Sequence, residues 1–177
     1  MFKRALILLL LMSASLVPAW AAPTEYQLKA VFLLNFARYA TWPETVLPED
    51  ADIHICVVGR DPFGSHLASL ESRQAQGHAV RIRYPESPEA ARECEVVFVA
   101  ASEQRRLNVI LRELAGAPVL TVSDIEGFVE AGGAIGFVTQ DDRVRFDINR
   151  DTLARDGIRL SAQLLKLARR LVGDGAP

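Results

Sequence analysis

The run Glu95-Val-Val-Phe-Val-Ala100 constrains this chain more than any other stretch. It is apolar without alternation and too short to be a helix buried on all sides. It therefore reads as a central parallel strand covered on both faces. Such a strand needs helices above and below the sheet, and the rest of the sequence supplies alternating strand and helix signals. Ile53 to Val58 is a second apolar strand, and Ala79 to Tyr84 an alternating one ended by Pro85. Pro118 to Val122 is a fourth. Helices are expected over about Pro62 to Ser72, near Pro88 to Arg92, and from a Ser102 cap to about Ala115. Further helices are expected over Asp124 to Glu130, Arg150 to Asp156 and Leu160 to Val172. Ala134 to Val138 and Val144 to Ile148, joined by Gln140-Asp-Asp-Arg143, form a hairpin placed at the sheet edge. The expected fold is an α/β three-layer sandwich. Its sheet is mostly parallel with an antiparallel edge hairpin, and helices lie on both faces.

Ahead of this pattern lies a different kind of segment. Met1-Phe-Lys-Arg4 is basic, Ala5 to Val17 is apolar, Pro18 interrupts, and Ala19-Trp-Ala21 is a small-x-small cleavage pattern. The apolar run is shorter than the roughly 20 residues of a membrane span, so residues 1–21 read as a signal peptide and 22–177 as one exported domain. No cysteine follows the run, so a lipoprotein is not expected. Loss of Lys3 and Arg4 makes the chain more acidic than its formal net charge of −2, and leaves Lys29 and Lys166 as the lysines. Without a basic block, nucleic acid is excluded as a partner class.

The domain opens with Thr24-x-x-Gln27, a capping box, so a helix begins there and stops before Trp42-Pro43. Leu33 and Leu34 make it apolar on more than one face. Such a helix is either buried or shared with a dimer mate or partner. Val31, Phe32, Leu34 and Phe36 are the candidate contact face.

Catalytic signals are weak. His54, His66 and His78 are scattered, Gly59 to Gly64 lacks the close glycine pair of a pyrophosphate loop, and Gly132-Gly133 reads as a turn before a strand. In a doubly wound sheet, ligands bind beyond the carboxyl ends of the strands at the switch point. There the sequence places Arg60, Asp61, Ser102, Glu103, Ser123 and Asp124, a polar rim. Capping is the competing reading: Asp61 before Pro62, Ser102 as an N-cap, Ser123-x-x-Glu126 as a capping box. No metal, cofactor or catalysis is expected. Two cysteines in an exported chain suggest one bridge, Cys56 to Cys94, with two buried thiols as the alternative.

Several motifs, taken in order, resemble one family. They are Phe36-Ala-Arg-Tyr-Ala-Thr-Trp-Pro43, Cys56-Val-Val-Gly-Arg-Asp-Pro-Phe-Gly64, Cys94-Glu-Val-Val-Phe-Val99 with Ser102-Glu103, Leu120-Thr-Val-Ser-Asp124, Gly127-Phe128, Gly132-Gly133, Arg145-Phe-Asp-Ile-Asn149 and Leu160-Ser-Ala-Gln-Leu-Leu-Lys-Leu-Ala168. The chain resembles the YfiR family of periplasmic proteins across nearly all of residues 22–177. The resemblance implies a soluble periplasmic repressor, acting as a homodimer. It would bind the periplasmic sensor domain of an inner-membrane diguanylate cyclase and restrain cyclic-di-GMP synthesis. An outer-membrane lipoprotein with a peptidoglycan-binding domain would sequester it. Cys56 and Cys94 match one family cysteine pair. The second, expected near the Ala134–Asp147 hairpin, is absent: Gly136 and Arg143 lie in a stretch without cysteine. The alternative is a periplasmic small-molecule binding protein that uses the strand-end crevice.

Overall fold

A computed structural model describes residues 24–174; the expected signal peptide and its cleavage site lie outside the described residues. The chain begins with α1 (Glu25–Tyr39), where the Thr24 hydroxyl accepts from the Gln27 N–H at 3.2 Å, and ends where Ala40 turns extended. Then come β1 (Ala40–Thr41), β2 (Ile53–Val58), the single-turn α2 (Ser65–Ala68), β3 (Gln74–Ala75), β4 (His78–Arg83) and β5 (Val96–Val99). A 3-10 segment (Ala101–Arg106) leads into α3 (Leu107–Leu114), followed by β6 (Leu120–Ser123), β7 (Ile135–Gln140) and β8 (Arg143–Asn149). The chain closes with α4 (Arg150–Arg155), β9 (Arg159–Leu160), α5 (Ala162–Leu167) and β10 (Arg170–Val172).

The main sheet runs β10-β8-β7-β6-β5-β2-β4-β3. Its middle, β4-β2-β5-β6-β7, is parallel throughout, while β7–β8 and β3–β4 are antiparallel. Alternation along the strands separates two cores. Ile53, Ile55, Val57, Val96, Phe98, Leu120 and Val122 face α1, and Cys56, Val58, Val97 and Val99 face Ile110, Leu111 and Leu114 of α3. This is the expected three-layer sandwich. On the α1 side, the Phe36 ring lies 5.7 Å from Phe137 and 5.2 Å from Phe146. A Phe36→Ala change there would cost about 3–5 kcal/mol. Cys56 and Cys94 are bridged, Cα to Cα 6.2 Å, which fixes the choice between bridge and thiols.

Several expectations need correction. The β7–β8 hairpin is not at the edge, because β10 pairs in parallel with β8. The long terminal helix breaks accordingly. Ser161 caps α5, Ala168 turns extended, and Arg169 and Arg170 close on the buried Asp147 of β8. The open hydrogen-bonding edge of β8 and that carboxylate outweigh the helix propensity of Ala-Arg-Arg-Leu. Residues 124–130 form turns rather than a helix. No helix starts at Pro62 either. Asp61 Oδ1 accepts from the Phe63 N–H at 2.7 Å in an Asx-type turn, and the short α2 follows Gly64. Ser102 does not cap its helix; it sits within the 3-10 turn that precedes α3. The hairpin turn has positive φ at both Asp141 (51°) and Asp142 (56°), the type I′ geometry that matches strand twist.

Candidate functional site: a polar cleft and an apolar groove

The chain reverses direction across the sheet between β2 and β5, so the switch point lies beyond their carboxyl ends. Three rim residues meet there. The Arg60 N–H donates to Ser102 Oγ at 2.9 Å, and Gly59, at φ +98°, lies directly under the Ser102 and Glu103 side chains. A Cβ on Gly59 would fall 2.6 Å from Ser102 Oγ and 2.7 Å from Glu103 Cγ. These side chains therefore close the crevice rather than line it. Asp61 is drawn aside, with Oδ1 on the Phe63 N–H and Oδ2 accepting from the Tyr84 hydroxyl at 3.1 Å. Ser123 is fully buried; its hydroxyl donates to the Val99 carbonyl at 2.7 Å and accepts from the Ile125 N–H at 3.0 Å, tying β6 to β5.

Asp124 belongs to a different set. Its Oδ2 accepts from Lys29 Nζ at 2.6 Å and from the Tyr26 hydroxyl at 2.9 Å. Lys29 is 3% exposed, also reaches Glu25 at 2.5 Å, and sits 4.5 Å over the Tyr26 ring. Burial, then the hydrogen bond and charge of Asp124, push the Tyr26 phenol up to about 12. Asp124 Oδ1 is buried with no hydrogen-bond partner among the described residues. These groups form one wall of a cleft of about 770 Å³. The opposite wall is Asp147, gripped by Arg169 at 2.8 and 2.6 Å and by Arg170 at 2.9 Å, with Glu130 also paired to Arg170. Burial pushes the Asp147 carboxyl up, but the two guanidinium groups outweigh it and hold it below the usual carboxylate range. The Arg170 hydrogen bond likewise lowers Glu130. Phe128, Val129, Gly136 and Phe137 floor the cleft.

Of the six rim residues, the structure thus gathers Arg60, Ser102 and Glu103, and sends Asp124 to a second group. Lys29, Tyr26, Asp147, Arg169 and Arg170 were not anticipated. The available signal for Lys29 was a lysine one helical turn after Glu25 in a largely apolar helix. Among the described residues, no three His, Cys, Asp or Glu side chains are placed to hold a metal.

Of the candidate contact face on α1, Leu34 and Phe36 are core, and Phe32 packs against Phe36, Phe137 and Phe146. Val31, 48% exposed, is the outward member. A larger apolar feature lies where α1 ends. There β1 pairs with β9, and Trp42, Pro43, Leu153, Ile158, Leu160 and Leu165 line a groove of about 640 Å³. Its charged lining residues are Arg150 and Arg159. Trp42 Nε1 is buried without an acceptor among the described residues.

The sequence profile of the YfiR/HmsC-like family matches residues 26–169. In fold, the chain is similar to a crystallised conserved domain protein from Vibrio cholerae O1 biovar eltor. The TM-score is 0.54 at 12% identity, over 84% of this chain and 60% of that one. The chain therefore spans less than two thirds of that protein, and the likeness concerns the fold.

Proposed function

The chain belongs to the YfiR/HmsC-like family, and from that premise we propose that it is a non-enzymatic periplasmic regulator that works by binding proteins. Its target is the periplasmic sensor domain of an inner-membrane diguanylate cyclase, whose cyclic-di-GMP output it represses. An outer-membrane peptidoglycan-binding lipoprotein relieves the repression by taking the regulator away, and a homodimer is the working form. Such a regulator acts by binding one conformation of its receptor more tightly than another.

The observation that supports this reading is the groove at Trp42. A concave apolar surface rimmed by arginine suits an apolar anchor from another chain, with polar contacts around it. The outward position of Val31 leaves α1 room for a dimer contact. The polar cleft at Asp124 favours the second reading, a small-molecule site, moved from the closed switch point to the neighbouring cleft.

Deletion of the gene followed by measurement of cellular cyclic-di-GMP tests the proposal. Cyclic-di-GMP should rise, fall again with the wild-type gene, and stay high with Leu160→Asp, a half-buried groove residue, provided that variant still accumulates folded. An unchanged level on deletion overturns the cyclase reading. Restoration by Leu160→Asp, but not by Asp124→Asn at full stability, would move the site to the polar cleft.

A further inference from the structure

We propose that the cleft between the β7–β8 hairpin and α5 is a second docking surface, built for an acidic segment of a partner protein. Gln140, Asp141, Arg145, Lys166, Leu167 and Arg169 are among the residues that line its roughly 380 Å³. Arg169 is committed to Asp147. Arg145 and Lys166 are not: neither side chain has an ion pair or hydrogen bond among the described residues. Leu167 lines the same cleft and is 60% exposed, the most exposed large hydrophobic residue described. Arg143 lies two residues before Arg145 on the same face of β8.

What sets this concavity apart is that two unpaired cations share it with an exposed leucine, in a chain of net charge −2. Of the exposed cations elsewhere, Arg81 pairs with Asp52 and Arg106 with Glu103, while Arg73 and Arg105 stand apart without an ion pair among the described residues. Here the complementary charge is left for another molecule to bring. The platform is firm, because β8 is held on both sides by β7 and β10, and α5 is capped by Ser161. Complementary charge at such a site steers encounter and fixes register, while the leucine supplies an apolar contact.

The same geometry argues against a flat anionic membrane. Asp141 and Asp142 occupy the hairpin tip beside the cleft, where they would face lipid phosphates. A narrow segment can set its carboxylates on Arg145 and Lys166 and keep them off Asp141 at the tip end of the cleft, which a flat anionic surface cannot do. This surface is separate from the Trp42 groove, although α5 contributes to both, through Leu165 to the groove and Lys166 to the cleft. The inference rests on the protein-binding reading only for the class of occupant. Its test involves no cyclase, so the two can fail separately.

The probe is a fluorescein-labelled peptide alternating Glu and Leu, followed by fluorescence anisotropy on the oxidised protein. Its twin carries Lys at every Glu position. The acidic peptide should bind and the basic twin should not. Arg145→Glu and Lys166→Glu should each weaken binding about fivefold or more, as loss of an exposed ion pair and its replacement by repulsion requires. Leu167→Ser should weaken it less, and Arg105→Glu, a cation outside the cleft, by under about twofold. Equal binding of both peptides, no binding of the acidic one, or equal sensitivity to Arg105→Glu overturns the proposal. So does preferential binding of phosphatidylglycerol vesicles that Lys166→Glu abolishes, which would assign the cleft to a membrane.

Discussion

Removing the Lys29 ammonium tests whether the pairing of α1 with the turn after β6 is a requirement of the fold. In Lys29→Met the helix and its packing survive, because methionine replaces the stem of a side chain that is only 4% exposed. What remains is Asp124, its side chain 10% exposed, with one oxygen already unpartnered and the other left with the Tyr26 hydroxyl alone. Breaking a buried pair from one side costs about 3–5 kcal/mol. Asp124→Leu should cost less, about 1–3 kcal/mol, because Lys29 keeps Glu25, which is half-exposed and partly solvated. The double variant removes both charges and should be more stable than the sum of the single losses, by about 1–3 kcal/mol of coupling. At this chain length 1 kcal/mol moves Tm by about 2–4 °C, so Lys29→Met should melt at least roughly 6 °C lower. Urea denaturation of the oxidised protein, with midpoint and slope fitted together, measures all four corners of the cycle. A Lys29→Met cost below about 1 kcal/mol, or additive single effects, would refute the reasoning.

Three further outcomes are expected. Cys56→Ser should lower stability by about 2–4 kcal/mol in denaturant melts, since the bridge spans a sequence separation of 38; two alkylatable thiols in wild-type protein isolated without reductant would contradict it. Gly133→Ala should cost about 1–3 kcal/mol through overpacking, because its Cβ would fall 2.1 Å from the buried Phe128 ring; a neutral melt would show that the ring can move aside. Asp147 is held below its unfolded value of 3.8, so its contribution is present above about pH 4 and is lost as pH falls through the lower folded value. Acid titration of stability should therefore show a loss below about pH 4 that Asp147→Asn reduces, and identical acid profiles would remove the Arg169–Arg170 clasp as its cause.

The sheet was readable because its strands are local signals. The unbroken apolar runs at Ile53–Val58 and Val96–Val99 allow only a two-sided covering, and the observed register buries alternate residues against α1 and α3. The terminal strand was not readable. Arg169 to Val172 has helical character, and its extended form depends on a carboxylate and a strand edge more than twenty residues earlier. The rim is divided for a related reason. Asp61, Ser102, Ser123 and Asp124 all lie at or beyond strand ends, which locates them at one end of the sheet, but each then takes its nearest hydrogen-bond partner. For Asp124 that partner is Lys29, 95 residues away in sequence, which no local pattern announces. The apolar helix left burial and partnership open, and packing placed Leu34 and Phe36 in the core while leaving Val31 outside.

The Cys56–Cys94 bridge has a consequence for how the molecule withstands proteolysis. The intervening residues, 57–93, hold α2, β3 and β4, one complete wing of the sheet, with exposed turns at Gly77 and around Glu86. A protease that nicks either turn severs the backbone but releases no fragment. The N-terminal piece, with α1 and β2, stays covalently joined to the piece carrying β5 through β10, and the paired strands hold the cut ends in place. Such a molecule would run as two bands only after reduction, and would keep its groove and cleft, all of whose lining residues lie outside the nicked loop. The bridge thus makes damage to that wing survivable.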